Sequence, residues 1–130
     1  MTKKGTLTVT VVEAKNLKDE DLIGKSDPYI NLILDKTNKQ IQHTTTKSGD
    51  LNPTYNETFT FRTDGDSHLK IECWDKDTIT SDDIIGKAEV SLSHVISKGS
   101  DECWVKLKSG KLGIRSKGEV LLRMSFEPFE

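Results

Sequence analysis

Acidic residues are concentrated in two short stretches of the chain. Eight of its 21 carboxylates lie within two segments of nine residues each: Asp19, Glu20, Asp21, Asp27, Asp75, Asp77, Asp82 and Asp83. Carboxylates held close together repel one another, so a bound cation would offset an electrostatic cost. Ca²⁺ takes six to eight oxygen ligands in irregular loops, whereas Mg²⁺ usually keeps several waters and uses one or two carboxylates. These stretches therefore predict a calcium site, unless they are acidic loops that are simply solvated.

Sulfur and imidazole ligands show no comparable clustering. His43, His68 and His94 are scattered along the chain, which favours surface or structural roles over zinc binding. The two cysteines, Cys73 and Cys103, are too few for a disulfide scaffold. We expect Cys73 to be an inert buried thiol and both tryptophans to be packing residues.

Other motifs fail on their spacing. Asp75 could open an EF-hand loop, but position six would be Thr80 rather than Gly and position twelve Gly86 rather than Glu. Gly113 and Gly118 have Walker spacing, yet Glu119 stands where the phosphate-binding Lys belongs. No Ser/His/Asp or Cys/His set has a catalytic context. We therefore expect a binding protein, not an enzyme.

Composition limits the chain to a small globular domain. Of 130 residues 33% are apolar and the mean hydropathy is −0.55, but Leu, Ile, Val and Phe make up about a quarter, above the roughly 20% typical of disorder. The net charge of −2 does not favour nucleic acid. We expect neither a membrane-spanning segment nor a signal peptide. We expect one domain over residues 1–130, with a core over about 5–127, in a cytoplasmic monomer.

Apolar residues alternate with polar ones along most of the chain, which predicts half-buried β-strands. The predicted strands cover residues 6–11, 29–34, 44–46, 55–61, 69–73, 88–92, 105–107 and 120–126. The one plausible helical turn is 93–98. Polar turns separate the strands, so the fold class is all-β, an eight-stranded antiparallel β-sandwich. The two acidic stretches then lie in loops, after the first predicted strand and after the fifth.

Three motifs resemble the C2 domain, the calcium- and lipid-binding module of conventional protein kinase C and the synaptotagmins. They are Ser-Asp-Pro-Tyr at 26–29, Leu-Asn-Pro-Thr-Tyr-Asn-Glu-Thr-Phe at 51–59, and Trp-Asp-Lys-Asp at 74–77 followed by Asp-Ile-Ile-Gly at 83–86. The resemblance covers about residues 7–126. It implies the permuted (type II) strand order of phospholipases C, because the first strand leads directly into the first acidic loop.

The resemblance also implies a set of calcium ligands. The family's five carboxylate positions are filled by Asp21, Asp27, Asp75, Asp77 and Asp83. Backbone carbonyls of Leu22 and Lys76 fall where the family supplies further oxygens, with Thr80 as an additional candidate. Asp82 is an extra acid beside the pattern, and Asp19 and Glu20 are peripheral.

Apolar loop tips suggest a membrane contact. Leu22 and Ile23 lie at the crest of the first acidic loop and Ile79 at the crest of the other, with Lys25 on the same rim. In some family members such side chains insert into lipid. Ile23 could instead fold back onto the core.

The lipid preference is expected to be simple. Kinase-type members bind phosphoinositides through lysines on the strands after Ser-Asp-Pro-Tyr, but this chain has uncharged residues there. They are Asn31, Ile33, Ile41, His43 and Thr45. The prediction is a module that calcium recruits to anionic, phosphatidylserine-type membranes. The alternative is a protein–protein interaction module, although members of that kind usually lack several loop aspartates.

Overall fold

Eight strands and one short helix make up the described structure. The computed structural model describes residues 4–17, 26–108 and 116–129. Its elements are β1 (Lys4–Lys15), β2 (Pro28–Leu34), β3 (Gln40–His43), β4 (Thr54–Asp64), β5 (His68–Asp75), β6 (Asp83–Ser91), α1 (Ser93–Lys98), β7 (Ser100–Lys108) and β8 (Ser116–Pro128). The predicted all-β class and the number of strands are confirmed.

The strands pair in the order β3-β2-β5-β6-β7-β8-β1-β4, and every pair is antiparallel. β6 and β7 share a single ladder pair, Lys87 with Lys108. This weak junction divides the strands into two four-stranded halves, β3-β2-β5-β6 and β7-β8-β1-β4. β1 leads into the first acidic loop and β8 lies beside it, which is the predicted permuted order.

The core lies between the inward faces of the two halves. Along β1, Leu7, Val9 and Val11 are fully buried, while the alternating threonines remain partly exposed. The same alternation buries Leu69, Ile71 and Cys73 on β5. Burial raises the pKa of the Cys73 thiol to about 12. Cys73 is therefore the buried thiol that the sequence predicts.

The prediction of a strand at 44–46 is wrong, because β3 lies four residues earlier. The ladder between β2 and β3 ends at Asn31 and His43. Thr44 then turns inward and is buried: its N–H donates to the Ile30 carbonyl and its Oγ1 accepts from the Ile30 N–H, both at 2.9 Å. Thr45 donates through its N–H and hydroxyl to Glu57. Polar side chains thus satisfy hydrogen bonds that a strand ladder would otherwise make.

Side-chain hydrogen bonds also close the side of the sandwich where β3 and β4 are the outer strands. Gln40 donates through Nε2 to the Arg62 carbonyl at 2.7 Å and accepts the Arg62 N–H at 3.0 Å. Gln42 donates through Nε2 to the Thr60 carbonyl at 2.5 Å. These bonds occupy backbone groups of β4 that would otherwise face solvent.

Candidate functional site

Three of the predicted ligands lie where neighbouring strands of one half begin or end. Asp27 directly precedes β2, Asp75 is the last residue of β5, and Asp83 is the first residue of β6. Pro28 pairs with Asp75, and Asp75 pairs with Asp83. Directly opposed residues of antiparallel strands have Cα atoms about 4.5–5.5 Å apart. The strand register therefore brings these carboxylates to one end of the sandwich, called here the acidic end.

Asp75 is the buried member of this group. Its side chain is almost inaccessible, and Oδ1 accepts the Asp27 N–H at 2.9 Å. The Lys76 N–H donates in turn to the Asp27 carbonyl at 3.0 Å. The Asp27 N–H is the one hydrogen-bond donor to Asp75 among the described residues, whereas a carboxylate has about four lone-pair sites. Asp75 is therefore a buried carboxyl group that retains acceptor capacity.

Asp27 connects this edge to the loop between β3 and β4. Its Oδ1 accepts the Gly49 N–H at 2.7 Å. Gly49 has a φ of +61°, a left-handed conformation that glycine adopts easily. The Pro28 carbonyl accepts both the Lys47 N–H, at 3.0 Å, and the buried Tyr55 hydroxyl, at 2.6 Å. These bonds fix the loop against the start of β2.

The loop between β5 and β6, residues 76–82, is organised by Asp77. Its Oδ1 accepts the N–H groups of Ile79 and Thr80, at 2.9 and 3.2 Å, and its Oδ2 accepts the Thr80 hydroxyl at 2.8 Å. The Ile79 amide, followed by the Thr80 hydroxyl and amide, lowers the pKa of Asp77. Asp77 is therefore held in its ionised form, and the Thr80 hydroxyl is bonded to that carboxylate.

Asp82 has a role that its position in the sequence did not reveal. Its Oδ2 accepts the Tyr29 hydroxyl of β2 at 2.5 Å, and its Oδ1 accepts the Asp77 N–H at 2.9 Å. The Asp77 amide and then the Tyr29 hydroxyl lower the pKa of Asp82. The ion pair with Lys76, at 3.8 Å and partly exposed, adds little. Asp82 thus attaches the 76–82 loop to β2. Tyr29 and Asp82 are 53 residues apart, and no sequence pattern links them.

The remaining predicted residues divide between exposed positions and undescribed ones. Asp83 is exposed, and Ile79 at the crest of the 76–82 loop is 90% exposed. The predicted ligands Asp21 and Leu22, and the predicted membrane contacts Leu22, Ile23 and Lys25, lie outside the described residues. Within the ranges that are described, no three His, Cys, Asp or Glu side chains form a group that could hold a metal ion.

Among the helices in the described part of the chain, none is both long and apolar enough to cross a bilayer.

Comparison with known sequences identifies a family. The C2 domain family matches residues 5–107. The chain is 36% identical over 129 residues to 16 kDa phloem protein 2 of Arabidopsis thaliana, covering 97% of this chain and 84% of that protein. It is 31% identical over 130 residues to Synaptotagmin-5 of the same plant, covering 96% of this chain but 23% of the relative. The chain thus spans about a quarter of that synaptotagmin.

Solved structures show the same fold. A C2 domain of plant Extended Synaptotagmin 1, its domain A, superimposes with a TM-score of 0.88 at 22% identity, covering 100% of this chain and 99% of that one. The calcium-bound pair of C2 domains of Extended-Synaptotagmin 2, domains A and B, gives a TM-score of 0.78 at 27% identity, covering 98% of this chain and 47% of that one. The β-sandwich is therefore shared with proteins of this family.

The bond between Tyr29 and Asp82 predicts an altered tyrosine titration. Burial, and then the hydrogen bond to Asp82, raises the pKa of Tyr29 to about 12, compared with about 10 for an unperturbed tyrosine. NMR of isotope-labelled tyrosine in a chelating buffer should show this midpoint. Asp82→Asn should lower it part of the way, because burial is the larger cause.

The sign of the effect on stability follows from linkage. A raised tyrosine pKa contributes stability below about pH 10, and this contribution is lost as the pH rises through about 12.

The matched control for the Asp82→Asn titration is Asp35→Asn, which removes a carboxylate at the other end of β2 and should leave the Tyr29 midpoint unchanged. A wild-type midpoint near 10, or equal midpoints in wild type and Asp82→Asn, would show that the bond is absent in solution.

Proposed function

The chain belongs to the C2 domain family, and on that premise we propose that it is a calcium-dependent membrane-binding module. The observation that carries this proposal is Asp75, an almost inaccessible carboxylate with one hydrogen-bond donor among the described residues. Burying a carboxylate costs several kcal/mol unless it is paired or coordinates a metal. Asp27 and Asp83, at the neighbouring strand ends, supply further oxygens of the kind that Ca²⁺ prefers.

The proposed ligand set is the one that the family resemblance implies. Asp27, Asp75, Asp77 and Asp83 would bind Ca²⁺ through their carboxylates, with Asp21 from the first acidic loop. Backbone carbonyls of Leu22 and Lys76 would add oxygen ligands. Hydrogen bonds that lower the pKa of Asp77 support its part, because the ionised carboxylate is the ligating form. Asp82 lies outside the five carboxylate positions of the family, and we give it a positioning role because it bonds Tyr29 of β2 and the Asp77 amide.

Calcium would act by changing the charge of the acidic end. Each bound Ca²⁺ adds two positive charges, so a pair would take the formal net charge from −2 to about +2. An end that repels anionic lipid would then attract it, and headgroup oxygens could complete the coordination of the ion. Phosphatidylserine-type membranes at the cytoplasmic surface are the proposed target. Residues 1–130 act as one unit in this proposal, with a core over about 5–127.

Apolar side chains at the tips would strengthen the contact. Ile79 projects almost fully into solvent, and burial of one such side chain contributes roughly 1.5–3 kcal/mol. Leu22 and Ile23 are proposed to enter the lipid beside it, with Lys25 at the headgroups. Among solved relatives, Extended-Synaptotagmin 2 has calcium bound to its tandem C2 domains, which supports the same chemistry in this chain.

Removing two carboxylates tests the calcium site. Asp75→Asn combined with Asp83→Asn preserves side-chain shape but lowers the charge, so the calcium concentration needed for binding should rise by roughly tenfold or more. The measurement is co-sedimentation with phosphatidylserine vesicles across a calcium series. Asp35→Asn, at the opposite end of β2, is the matched control and should behave as wild type. Equal calcium dependence in the double variant and wild type would contradict the proposed site.

Replacing the loop tip tests membrane insertion separately from calcium binding. Ile79→Ser should weaken vesicle affinity by about tenfold, while calcium affinity without lipid stays unchanged. Ile41 on β3 is 50% exposed but lies away from the acidic end, so Ile41→Ser is the matched control. Undiminished vesicle binding by Ile79→Ser would mean that Ile79 stays outside the bilayer.

A further inference from the structure

The two halves of the sandwich separate along one side. β6 and β7 form a single ladder pair, Lys87 with Lys108. The strands meet there because Gly86 has no side chain: a Cβ at this position would lie 3.0 Å from the Leu107 Cβ and 2.9 Å from the Lys117 Cβ. Beyond this point Ala88–Ser91 and Cys103–Lys106 line a groove of about 440 Å³.

Backbone edges face one another across this groove. β6 pairs along its length with β5, and β7 pairs with β8, so each strand has one unpaired side. Within the described residues, no backbone hydrogen bond joins 88–91 to 103–106. An unpaired strand edge presents N–H and C=O groups that can pair with another extended chain. Among the described residues, the glutamine side chains that close the β3–β4 side have no counterpart here.

The rim of the groove is basic. Lys87, Lys106 and Lys108 line it and are exposed, and among the described residues none of the three lies within 4 Å of a carboxylate. Three acidic groups lie nearby: Glu89, which lines the groove and lies opposite Lys70 in the β5–β6 register, Glu72, opposite Lys87 in that register, and Glu119, opposite Lys106 in the β7–β8 register. Three ammonium groups without a carboxylate partner therefore favour an acidic occupant.

Trp104 provides an aromatic surface in the same groove. The sequence predicted a packing residue, but Trp104 is 39% exposed. One face of its ring carries the Lys15 Nζ, 4.1 Å from the ring centroid. The prediction is wrong because residues of β7 alternate, and Cys103 and Val105 occupy the inward positions. Exposed tryptophans are common energetic centres of protein interfaces.

We propose that this groove binds an extended acidic segment of a partner polypeptide as an added β-strand. Its backbone would pair with the open edge of β6 or β7, over about four residues or roughly 13 Å. Side chains on alternate positions would point outward, where carboxylates meet Lys87 and Lys106 and an apolar group covers Trp104. Ala88–Ser91 lead away from the acidic end, so this binding is independent of calcium and of the proposed membrane function.

The test is an NMR titration of the amide resonances in calcium-free buffer. The probe is a peptide of alternating Glu and Val, which should shift the amides of 88–91 and 103–106 and the Trp104 indole. Lys87→Glu combined with Lys106→Glu should weaken binding at least tenfold. Lys39→Glu, in the exposed β2–β3 connection, is the matched control and should bind as wild type. If the double variant unfolds, Lys106→Gln alone takes its place. This milder change should weaken peptide binding severalfold.

Several results would overturn the proposal. A peptide of alternating Lys and Val that binds equally well would exclude charge recognition. A peptide with prolines at alternate positions that binds equally well would exclude strand pairing. Calcium-free phosphatidylserine vesicles that shift the same amides more strongly would identify a lipid surface, and shifts that grow with protein concentration alone would identify a second copy. In calorimetric titrations, the calcium affinity of the lysine variants should equal that of wild type. This result is expected whether or not the chain binds membranes.

Discussion

Burial of the Asp75 carboxyl group at a strand end is the constraint on which the acidic end depends. The ladder that pairs Pro28 with Asp75 and Asp75 with Asp83 fixes the backbone of these residues at one end of the sandwich. Backbone amides offset part of the cost, since Asp75 accepts the Asp27 N–H and Asp27 accepts the Gly49 N–H. A hard cation would offset the rest. The same ladder that fixes these backbones would preorganise the site for binding.

The 76–82 loop shows how a short polar segment acquires a defined shape without a hydrophobic core. Asp77 binds the amides of Ile79 and Thr80, and Asp82 binds Tyr29 and the Asp77 amide. Each of these carboxylates is stabilised in its ionised form by the groups that it organises. Local hydrogen bonds therefore set both the position and the charge of the loop, and its apolar tip, Ile79, remains in solvent.

The two long sides of the sandwich differ in how their strand edges are hydrogen-bonded. One side lies between β3 and β4, and the other lies between β6 and β7. Gln40 and Gln42 cover backbone groups of β4 on one side. On the other, Gly86 brings β6 and β7 together once, and the strands then part around lysines and Trp104. Exposed strand edges risk association with other chains. The open edge between β6 and β7, lined by three lysines, is therefore where we propose that a partner binds. The proposed partner groove and the proposed calcium site occupy separate regions.

Much of this architecture could be predicted from the sequence, and the exceptions share a cause. Alternation along β1 and β5 predicts which side chains are buried, because period two is a local property of a strand. The misplaced third strand and the attachment of Asp82 to Tyr29 both depend on residues distant in sequence. Thr44 turns inward because Ile30 offers both a donor and an acceptor, and no local pattern encodes that. The acidic stretches are visible in the sequence itself, and the strand register places Asp27, Asp75 and Asp83 at one end, while Asp21 lies outside the described residues.

The proposed function requires calcium and anionic lipid to bind together at the acidic end, so each should tighten the binding of the other. Calorimetric titration with Ca²⁺ should be done in buffer, with phosphatidylserine vesicles, and with neutral phosphatidylcholine vesicles. If lipid completes the coordination of the ion, phosphatidylserine should tighten calcium binding by about 5-fold to 150-fold, and by reciprocity calcium should tighten vesicle binding equally. Phosphatidylcholine should have little effect. An unchanged calcium affinity with phosphatidylserine, or no calcium binding at all, would contradict this account.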